Sequence, residues 1–217
     1  WNCSASSKLS TKPFHYLFIM VLVRMMLISC LRYTLLTASR IPLWTKLNSS
    51  TDAPSARTRG VIGHVGDSQL YLIGGSDLTN VKDDFYYVVV DGTTVYFTEI
   101  DQDLYESPTP PALERHTMVG IDEYRAIFGG SDGTTFYNAS YAVLPYGGWL
   151  TLSNVGDTPC GRAGHTMTPF SDTYWVLFGG NSGDSYLNDV YTMEIGVGDL
   201  TVWSWTLLTD SGDTPSV

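Results

Sequence analysis

Histidine and arginine side chains recur at matching places along this 217-residue chain. His116 and His165 each stand before a short apolar run, and Arg57 and Arg162 stand in loops that precede such runs. An imidazole can act as a general base or a metal ligand, and a guanidinium group can bind a carboxylate through two parallel hydrogen bonds. Repetition favours a structural role for the histidines. For the arginines two interpretations stay open, an ion pair within the fold or a contact to a partner.

A second group of chemically capable side chains is an acidic loop with Glu99, Asp101, Asp103 and Glu106. Carboxylate oxygens at alternating places could hold calcium. The loop has neither the glycine nor the ligand order of an EF-hand, so the sequence favours a solvated acidic loop. We therefore predict no metal site here.

The three cysteines, Cys3, Cys30 and Cys160, are odd in number and far apart. This spacing predicts neither a disulfide framework nor a zinc site. Cys160 follows Pro159 in a loop and is expected to be a free, partly buried thiol. We also find no glycine-rich phosphate loop, no nucleophile elbow and no His-Glu-x-x-His pair, and we predict no catalytic residue and no cofactor.

These side chains belong to a pattern that recurs about every 50 residues. Each copy contains a glycine pair, and a tyrosine follows eleven residues after the second glycine. The pairs are Gly74-Gly75, Gly129-Gly130 and Gly179-Gly180, and the tyrosines are Tyr86, Tyr141 and Tyr191. An aromatic residue opens each copy, and the four openers are Trp44, Tyr96, Trp149 and Trp205. Self-similarity with this period indicates a repeat architecture.

Each copy has the character of four short strands. Runs rich in Thr, Val, Tyr, Trp and Ile are bounded by Gly, Asp, Asn, Ser and Pro. Four strands per copy describe one blade of a β-propeller. The predicted strands are 59–65, 69–75, 84–91 and 94–100; 115–121, 124–129, 135–144 and 149–153; and 164–170, 173–180, 188–195 and 201–208. Residues 44–47 are expected to form a lone outer strand.

The third copy resembles the kelch repeat. That repeat has an arginine, Gly-His, an apolar strand ending in Gly-Gly, Asn-Asp-Val-Tyr and a tryptophan on its fourth strand. The matching residues are Arg162, Gly164-His165, Gly179-Gly180, 188–191 and Trp203 or Trp205. The first copy has Gly60 in the histidine place, and the second has Leu113 in the arginine place. The resemblance covers 44–217 and implies an all-β fold, a kelch-type β-propeller with four-stranded antiparallel blades at about 57–100, 113–153 and 162–209.

The implied propeller is incomplete. Three blades and the start of a fourth are fewer than the about five to seven that kelch propellers generally have. An open arc would expose two apolar blade faces. The chain is therefore expected to be part of a larger protein, and pairing of two half-rings is the alternative.

The resemblance implies a binding module that presents its loops to a protein or peptide partner. In kelch proteins that bind peptides, contacts come from the loop after the glycine pair and from the loop around the arginine. The matching positions are Arg57, Ser76, Asp77, Ser131, Asp132, Arg162, Asn181 and Ser182. Structural roles are expected for Gly74, Gly75, Tyr86, His116, Gly129, Gly130, Tyr141, Trp149, His165, Gly179, Gly180, Tyr191 and Trp205.

Some enzymes share the kelch fold, which leaves a second interpretation. Galactose oxidase holds copper with two tyrosines and two histidines, one tyrosine being linked to a cysteine. The nitrile-forming kelch proteins of plants hold iron through a Glu-x3-Asp-x3-His run. We find neither set in this sequence. The alternative is a fragment of a kelch-fold enzyme whose metal or catalytic residues lie in other blades.

The composition changes sharply after residue 43. Residues 1–43 contain five basic residues and no acid, and an apolar run with one charge occupies 14–31. This segment fits a signal peptide, a membrane anchor or translated non-coding sequence. The first two predict a secreted or cell-surface adhesion protein or receptor, and the third a cytoplasmic protein. A secreted protein could carry glycans at the sequons of Asn2, Asn48 and Asn138.

Residues 44–217 are strongly acidic. They hold all 22 acidic residues of the chain and seven of its 12 basic ones, a formal balance of −15. Such a charge would repel phosphate, so binding to nucleic acid is disfavoured. It suits a soluble surface or a basic partner.

Overall fold

The computed structural model describes residues 45–65, 69–105, 108–121, 124–144, 147–196 and 201–209. The predicted segment 1–43, Trp44, Glu106 and the start of the fourth copy after residue 209 lie outside these ranges. All the strands below belong to one compact unit. Within the described ranges, no helix is both long and apolar enough to cross a membrane.

The strands of the described residues form a five-stranded and an eight-stranded sheet. Antiparallel pairing within these sheets divides them into three consecutive four-stranded blades. The first blade contains β2 (Val61–Val65), β3 (Gln69–Ile73), β4 (Phe85–Asp91) and β5 (Thr94–Glu99). The second contains β6 (Thr117–Ile121), β7 (Tyr124–Phe128), β8 (Ser140–Val143) and β9 (Trp149–Gly156). The third contains β10 (Thr166–Pro169), β11 (Tyr174–Asn181), β12 (Tyr186–Ile195) and β13 (Val202–Leu207). This confirms the predicted fold class.

The largest differences between predicted and observed strands occur at two places. The lone outer strand lies not at 44–47 but at β1 (Asn48–Ser49), because Asn48 pairs with Thr94 in a parallel register with β5. The strand predicted at 135–144 begins only at Ser140, because the backbone N–H of Tyr137 bonds to the carbonyl of Gly130 and not to a neighbouring strand.

The apolar core lies between the blades. We call the contact between the first and second blades the first seam, and that between the second and third blades the second seam. Phe85 packs on Trp149 in the first seam, with ring centroids 5.3 Å apart, and Phe128 packs on Trp205 in the second, at 4.8 Å. All four side chains are buried. Burial of each such ring stabilises the fold by about 1.5–3 kcal/mol.

Each seam is also bonded through an indole N–H. Trp149 Nε1 donates to Gln102 Oε1 at 2.8 Å, and Trp205 Nε1 donates to Asn154 Oδ1 at 2.9 Å. In both cases the acceptor lies on the chain segment that leaves the preceding blade. Gln102 begins a short 3-10 helix, Gln102–Leu104, that connects the first two blades.

The glycine pairs lie where the next blade approaches most closely. Gly130 donates its N–H to the carbonyl of Arg162 at 2.8 Å, and Gly75 donates to the carbonyl of Leu113 at 2.8 Å. Gly129 and Gly130 have φ of 65° and 98°, and a Cβ on Gly129 would lie 2.7 Å from the Arg162 carbonyl oxygen. The seam therefore requires residues without a side chain at both places.

Candidate functional site

Arg162 and its counterpart Arg57 lie inside their blades. Arg162 forms two parallel bonds with Asp189, Nη1–Oδ1 at 2.6 Å and Nη2–Oδ2 at 2.9 Å, and Nη1 also donates to the Gly179 carbonyl at 3.0 Å. Its guanidinium carbon lies 5.3 Å from the centroid of the Tyr191 ring. Burial lowers the pKa of Arg162, but the bonds and charge of Asp189 outweigh it and the pKa is raised.

The first blade repeats this arrangement. Arg57 forms two bonds with Asp84, one bond to the Gly74 carbonyl at 3.1 Å and a contact of 5.6 Å to the ring of Tyr86. The hydrogen bond and the charge of Asp84 raise the pKa of Arg57. In the second blade the same two places hold Leu113 and Ala139, so both members of the ion pair are absent together.

The two arginines therefore do not lie where a partner could reach them easily. The Arg162 side chain has no exposed surface, and that of Arg57 is 8% exposed. Every assigned donor bonds within its own blade. Arg57 and Arg162 therefore hold their loops in place, and a contact of either residue with a partner stays a prediction.

The loops after the glycine pairs are tightly bonded within themselves. Asp77 Oδ1 accepts from the Thr79 N–H at 2.7 Å, and Asp132 Oδ1 accepts from the Thr135 N–H at 2.7 Å. The bond with Lys82 first, and the Thr79 and Asn80 bonds next, hold the pKa of Asp77 well below its usual range. The bonds from Thr135 and Tyr137 do the same for the pKa of Asp132. These bonds fix the turn of each loop, and residues 78–80 and 133–135 are exposed at the loop tips.

The other residues predicted to contact a partner lie in these two loops and in the matching loop of the third blade. They are Ser76, Ser131, Asn181 and Ser182. Ser76 and Ser131 are buried. Ser131 Oγ accepts from the Gly133 N–H at 3.0 Å. In the third blade, Asn181 Oδ1 accepts from the Gly183 N–H at 2.7 Å, and Ser182 N–H donates to the Ser185 carbonyl at 3.0 Å. Ser76 and Ser131 therefore support the loops, while Asn181 and Ser182 are half-buried.

The first seam contains a cluster of charged side chains that was not predicted from the sequence. Glu114 is 6% exposed and accepts a hydrogen bond from Ser76 Oγ. Arg59 Nη1 approaches its two carboxylate oxygens at 3.1 and 3.2 Å, and Arg115 Nε lies 3.3 Å from Oε1. Burial raises the pKa of Glu114, but the Ser76 bond and the two arginines outweigh it, so the pKa is lowered. Two cations therefore converge on one buried anion.

The backbone of both arginines is unusual. Arg59 and Arg115 have φ of 61° and 57°, and the third blade has Gly164 with φ 69° at the same place of the repeat. The three residues form a line of bonds across the seams, because Arg115 N–H donates to the Arg59 carbonyl and Gly164 N–H donates to the Arg115 carbonyl, each at 2.8 Å. The side chains of Arg59 and Arg115 are 46% and 38% exposed.

The cluster lines a groove on the loop face of the first seam, which we call the first-seam groove. Its volume is about 670 Å³. The walls are the loop 76–81 of the first blade, the segment 112–115 and the loop 132–134 of the second blade. The groove therefore brings together the predicted residues Ser76, Asp77 and Asp132 with the unpredicted Arg59, Glu114 and Arg115.

The two repeated histidines lie in the seams and not in the groove lining. His165 Nε2 lies 2.8 Å from Thr117 Oγ1, and both histidines are buried. Burial lowers the pKa of His116 to about 4 and that of His165 to about 3. Among the described residues, His116 has no hydrogen-bond partner for either ring nitrogen. Both rings are therefore neutral near pH 7.

Two further predictions from the sequence, which concern the nucleophile-elbow motif and the burial of Cys160, need correction. Residues 129–133 carry the Gly-x-Ser-x-Gly spacing of a nucleophile elbow, which the sequence analysis did not recognise. Ser131 is buried, however, and a loop and not a helix follows it. Cys160 is exposed and not partly buried, although its Sγ accepts a contact at 3.4 Å from Nη2 of the buried Arg162. In the described part of the chain, no three His, Cys, Asp or Glu side chains cluster as metal ligands would.

The geometry now defines the class of protein. Consecutive four-stranded blades with cores in their seams and loops gathered on one face are the architecture of a β-propeller, here incomplete. The family model of the KLHDC2/KLHL20/DRC7 Kelch-repeats domain matches residues 32–217, and the chain belongs to this kelch-repeat family. Kelch-repeat domains generally serve as protein-interaction scaffolds.

Curated relatives share the repeats within longer proteins. Tip elongation aberrant protein 3 of Schizosaccharomyces pombe is 24% identical over 157 residues, which are 69% of this chain and 14% of that protein. Kelch repeat-containing protein 2 of Saccharomyces cerevisiae is 28% identical over 69% of this chain and 18% of its own length. Rho GTPase-activating protein gacHH of Dictyostelium discoideum is 32% identical over 52% of this chain and 8% of its own length. The chain spans less than a fifth of each relative.

Proposed function

We propose that this propeller segment binds a protein or peptide partner in the first-seam groove, where Arg59 and Arg115 bind a carboxylate of that partner. The observation that carries the proposal is the convergence of two half-exposed guanidinium groups on the single buried carboxylate of Glu114. One carboxylate cannot neutralise two guanidinium charges. Asp77 and Asp132 also line the groove, but Asp77 is paired with Lys82 and Asp132 is bonded within its own loop, so a carboxylate of the partner would meet the remaining guanidinium charge.

The hydrogen-bonding capacity of the arginines supports this function. Arg59 uses only Nη1 in its bonds to Glu114, and Arg115 approaches Glu114 only through Nε. The remaining N–H groups belong to planar forks that suit the two oxygens of a carboxylate. Glu114 accepts hydrogen bonds from Arg59 through both oxygens and lies within ion-pair distance of Arg115, which restrains both side chains.

The backbone conformation of Arg59 and Arg115 also supports the proposed function. A residue with a side chain in the left-handed region costs about 1–2 kcal/mol relative to one in the right-handed region. Gly164 avoids this cost in the third blade, whereas Arg59 and Arg115 accept it. Strained residues that persist in a fold often serve its function. The charged side chains explain why arginine stands where glycine fits better.

The second seam lacks these features. Ala163 stands in the place of Glu114, and Gly164 stands in the place of Arg115. Asp77, Asp132, Asn181 and Ser182, which are half-buried beside the loop tips of the same face, are retained in the proposal as contacts. The first-seam groove would bind the charged group of the partner, and the loop residues would enlarge the contact surface.

Selection from a displayed library of random heptapeptides would test the function. We expect the wild-type chain to enrich peptides with Asp or Glu, and the double variant Arg59→Gly, Arg115→Gly to lose this enrichment. Arg115→Lys is the matched control, because it keeps the charge and the backbone conformation but loses the fork. Equal enrichment of acidic peptides by the double variant would overturn the proposed function.

A further inference from the structure

The first-seam groove carries acidic side chains on both of its walls. Asp77 stands on the wall of the first blade and Asp132 on the wall of the second, and Arg59, Glu114 and Arg115 complete the charged lining. Hydrogen bonds from side chains and backbone N–H groups hold the pKa of each aspartate well below its usual range, so both are ionised at pH 7. The lining therefore sets three anions against two cations, and a partner that offered only carboxylates would meet a groove of net negative charge.

The two aspartates differ in how their charge is met. Lys82 Nζ lies 2.6 Å from Asp77 Oδ2 and forms an ion pair with it. The donors to Asp132 are neutral, and they include the Thr135 N–H at 2.7 Å and the Tyr137 hydroxyl group at 2.7 Å. Within the described ranges, no lysine, arginine or histidine side chain pairs with Asp132. Asp132 thus leaves a half-buried negative charge on the groove wall.

The rest of the propeller segment adds to this negative potential. Residues 44–217 have a formal balance of −15. At long range such a charge repels an acidic partner and attracts a basic one, and this steering sets the rate of encounter. A carboxylate therefore reaches Arg59 and Arg115 most readily when basic side chains of the same partner surround it.

Building on the proposed function, we propose that the first-seam groove selects a segment in which a carboxylate is flanked by basic side chains, within a partner of net positive charge. The carboxylate binds the N–H groups of Arg59 and Arg115 that Glu114 does not use. A lysine or arginine beside it on the partner pairs with Asp132 on the groove wall. Three positions of an extended segment, at about 3.3 Å each, cross a groove of about 670 Å³, so both contacts come from neighbouring residues.

Asp132→Asn is the variant that tests this selection. It removes the charge but keeps an oxygen that can accept from the N–H groups of Thr134 and Thr135. Asp172→Asn is the matched control, because it changes the net charge equally at an exposed place between β10 and β11, outside the groove lining. Thermal unfolding would show that both variants fold like wild type. Asp132→Ser, which copies Ser182 at the same place of the third blade, is the second variant should Asn disturb the loop.

The displayed library of random heptapeptides would be selected separately against wild type and against each variant. We expect the peptides enriched by wild type and by Asp172→Asn to carry Lys or Arg within about three positions of Asp or Glu. Asp132→Asn should still enrich Asp and Glu, because its guanidinium groups are untouched, but it should lose the preference for a neighbouring cation.

One enriched peptide with more basic than acidic residues, made synthetically with blocked ends, would complete the test. Replacing its basic residues with Ala should weaken binding to wild type by about threefold, as loss of a partly exposed ion pair does, and should hardly change binding to Asp132→Asn. Salt gives a second readout in stopped-flow mixing. From about 50 to about 300 mM NaCl, the association rate should fall for the original peptide and rise for the Ala-substituted one, because salt screens attraction and repulsion alike.

The outcomes separate this inference from the proposed function. If peptides are enriched for Asp or Glu without neighbouring basic residues, the inference fails and the proposed function stands. If Asp and Glu are not enriched, both fail. If wild type and Asp132→Asn enrich Lys or Arg equally, the cation of the partner binds elsewhere and the inference is overturned.

Discussion

Thr117 of the second blade holds His165 of the third, with Oγ1 2.8 Å from Nε2 across the second seam. The first seam has no such pair, because Val61 takes the place of Thr117 and offers no hydroxyl group to His116. One imidazole is thus bonded and the other is not, although both are buried. Substitutions at Thr117 and Val61 can therefore measure how much one seam hydrogen bond contributes to the free energy of unfolding.

We expect Thr117→Val to destabilise the fold, because it leaves Nε2 of His165 buried without a partner. The free energy of unfolding in urea should fall by about 1–3 kcal/mol. The reverse change, Val61→Thr, offers His116 the missing partner and should raise it by about 0.5–1.5 kcal/mol. Equal stability of wild type and Thr117→Val would show that the seam does not depend on this bond.

Stability should also depend on pH through the two histidines. Their pKa values, about 4 for His116 and about 3 for His165, lie below the ordinary value of 6.5. Between about pH 4 and pH 6.5, the two histidines bind more protons in the unfolded chain than in the folded one. The folded state therefore loses stability as the pH falls below 6.5. The expected slope is up to about 1.4 kcal/mol per pH unit for each histidine.

Urea unfolding at pH 7, 6 and 5 would measure this slope. His165→Gln removes one of the two titrating groups and should roughly halve it. Carboxylates contribute little in this range, because Asp77 and Asp132 have lowered pKa values in the fold and the unfolded chain also holds its carboxylates ionised above about pH 5. If His165→Gln leaves the slope unchanged, the pH dependence of stability does not come from His165.

The buried ion pair of the third blade should behave as a unit. Arg162→Leu alone leaves Asp189 without its partner, and we expect a loss of about 3–5 kcal/mol in the free energy of unfolding. Adding Asp189→Ala reproduces the pair Leu113 and Ala139 of the second blade and should recover most of that loss. Additive effects of the two changes in a double-mutant cycle would argue against a coupled pair.

Arg115→Gly should separate stability from binding. It relieves the left-handed conformation at φ 57°, and we expect the free energy of unfolding to rise by about 0.5–1 kcal/mol. Binding of an acidic peptide selected by the library should weaken at the same time. If Arg115→Gly destabilises the chain, the support that Glu114 draws from Arg115 outweighs the relieved strain.

Glycosylation should distinguish the two sequons of the described residues. Asn48 is exposed on β1. The Asn138 sequon needs Ser140, which is fully buried with Oγ bonded to Asn154 Oδ1 at 2.9 Å. When the chain is directed into a secretory pathway, we expect the folded product to carry a glycan on Asn48 and not on Asn138. Mass spectrometry with Asn48→Gln as the control would measure this, and a folded product with a glycan on Asn138 would contradict it.

Much of the fold could be predicted because its signals are local. The glycine pairs, the tyrosines eleven residues later and the tryptophans of the fourth strands mark each blade, and β4, β7 and β13 lie close to the predicted ranges. The charged groove could not be found this way. Arg59 and Arg115 look like ordinary loop residues, and only their alignment with Gly164 hints at a left-handed backbone. Arg57 and Arg162 matched the binding motif, but ion pairing within a blade depends on Asp84 and Asp189, 27 residues away.

Strand β9 has a consequence for how the chain comes apart. Its first half pairs with β8 in the second blade, and from Ser153 to Gly156 it pairs with β13 in the third. The two blades thus share one continuous backbone ladder, whereas a loop with a single helical turn joins the first blade to the second. Under a pulling force, or during rare opening that admits deuterium to the amides, the second and third blades should yield together, and the first blade should detach before them.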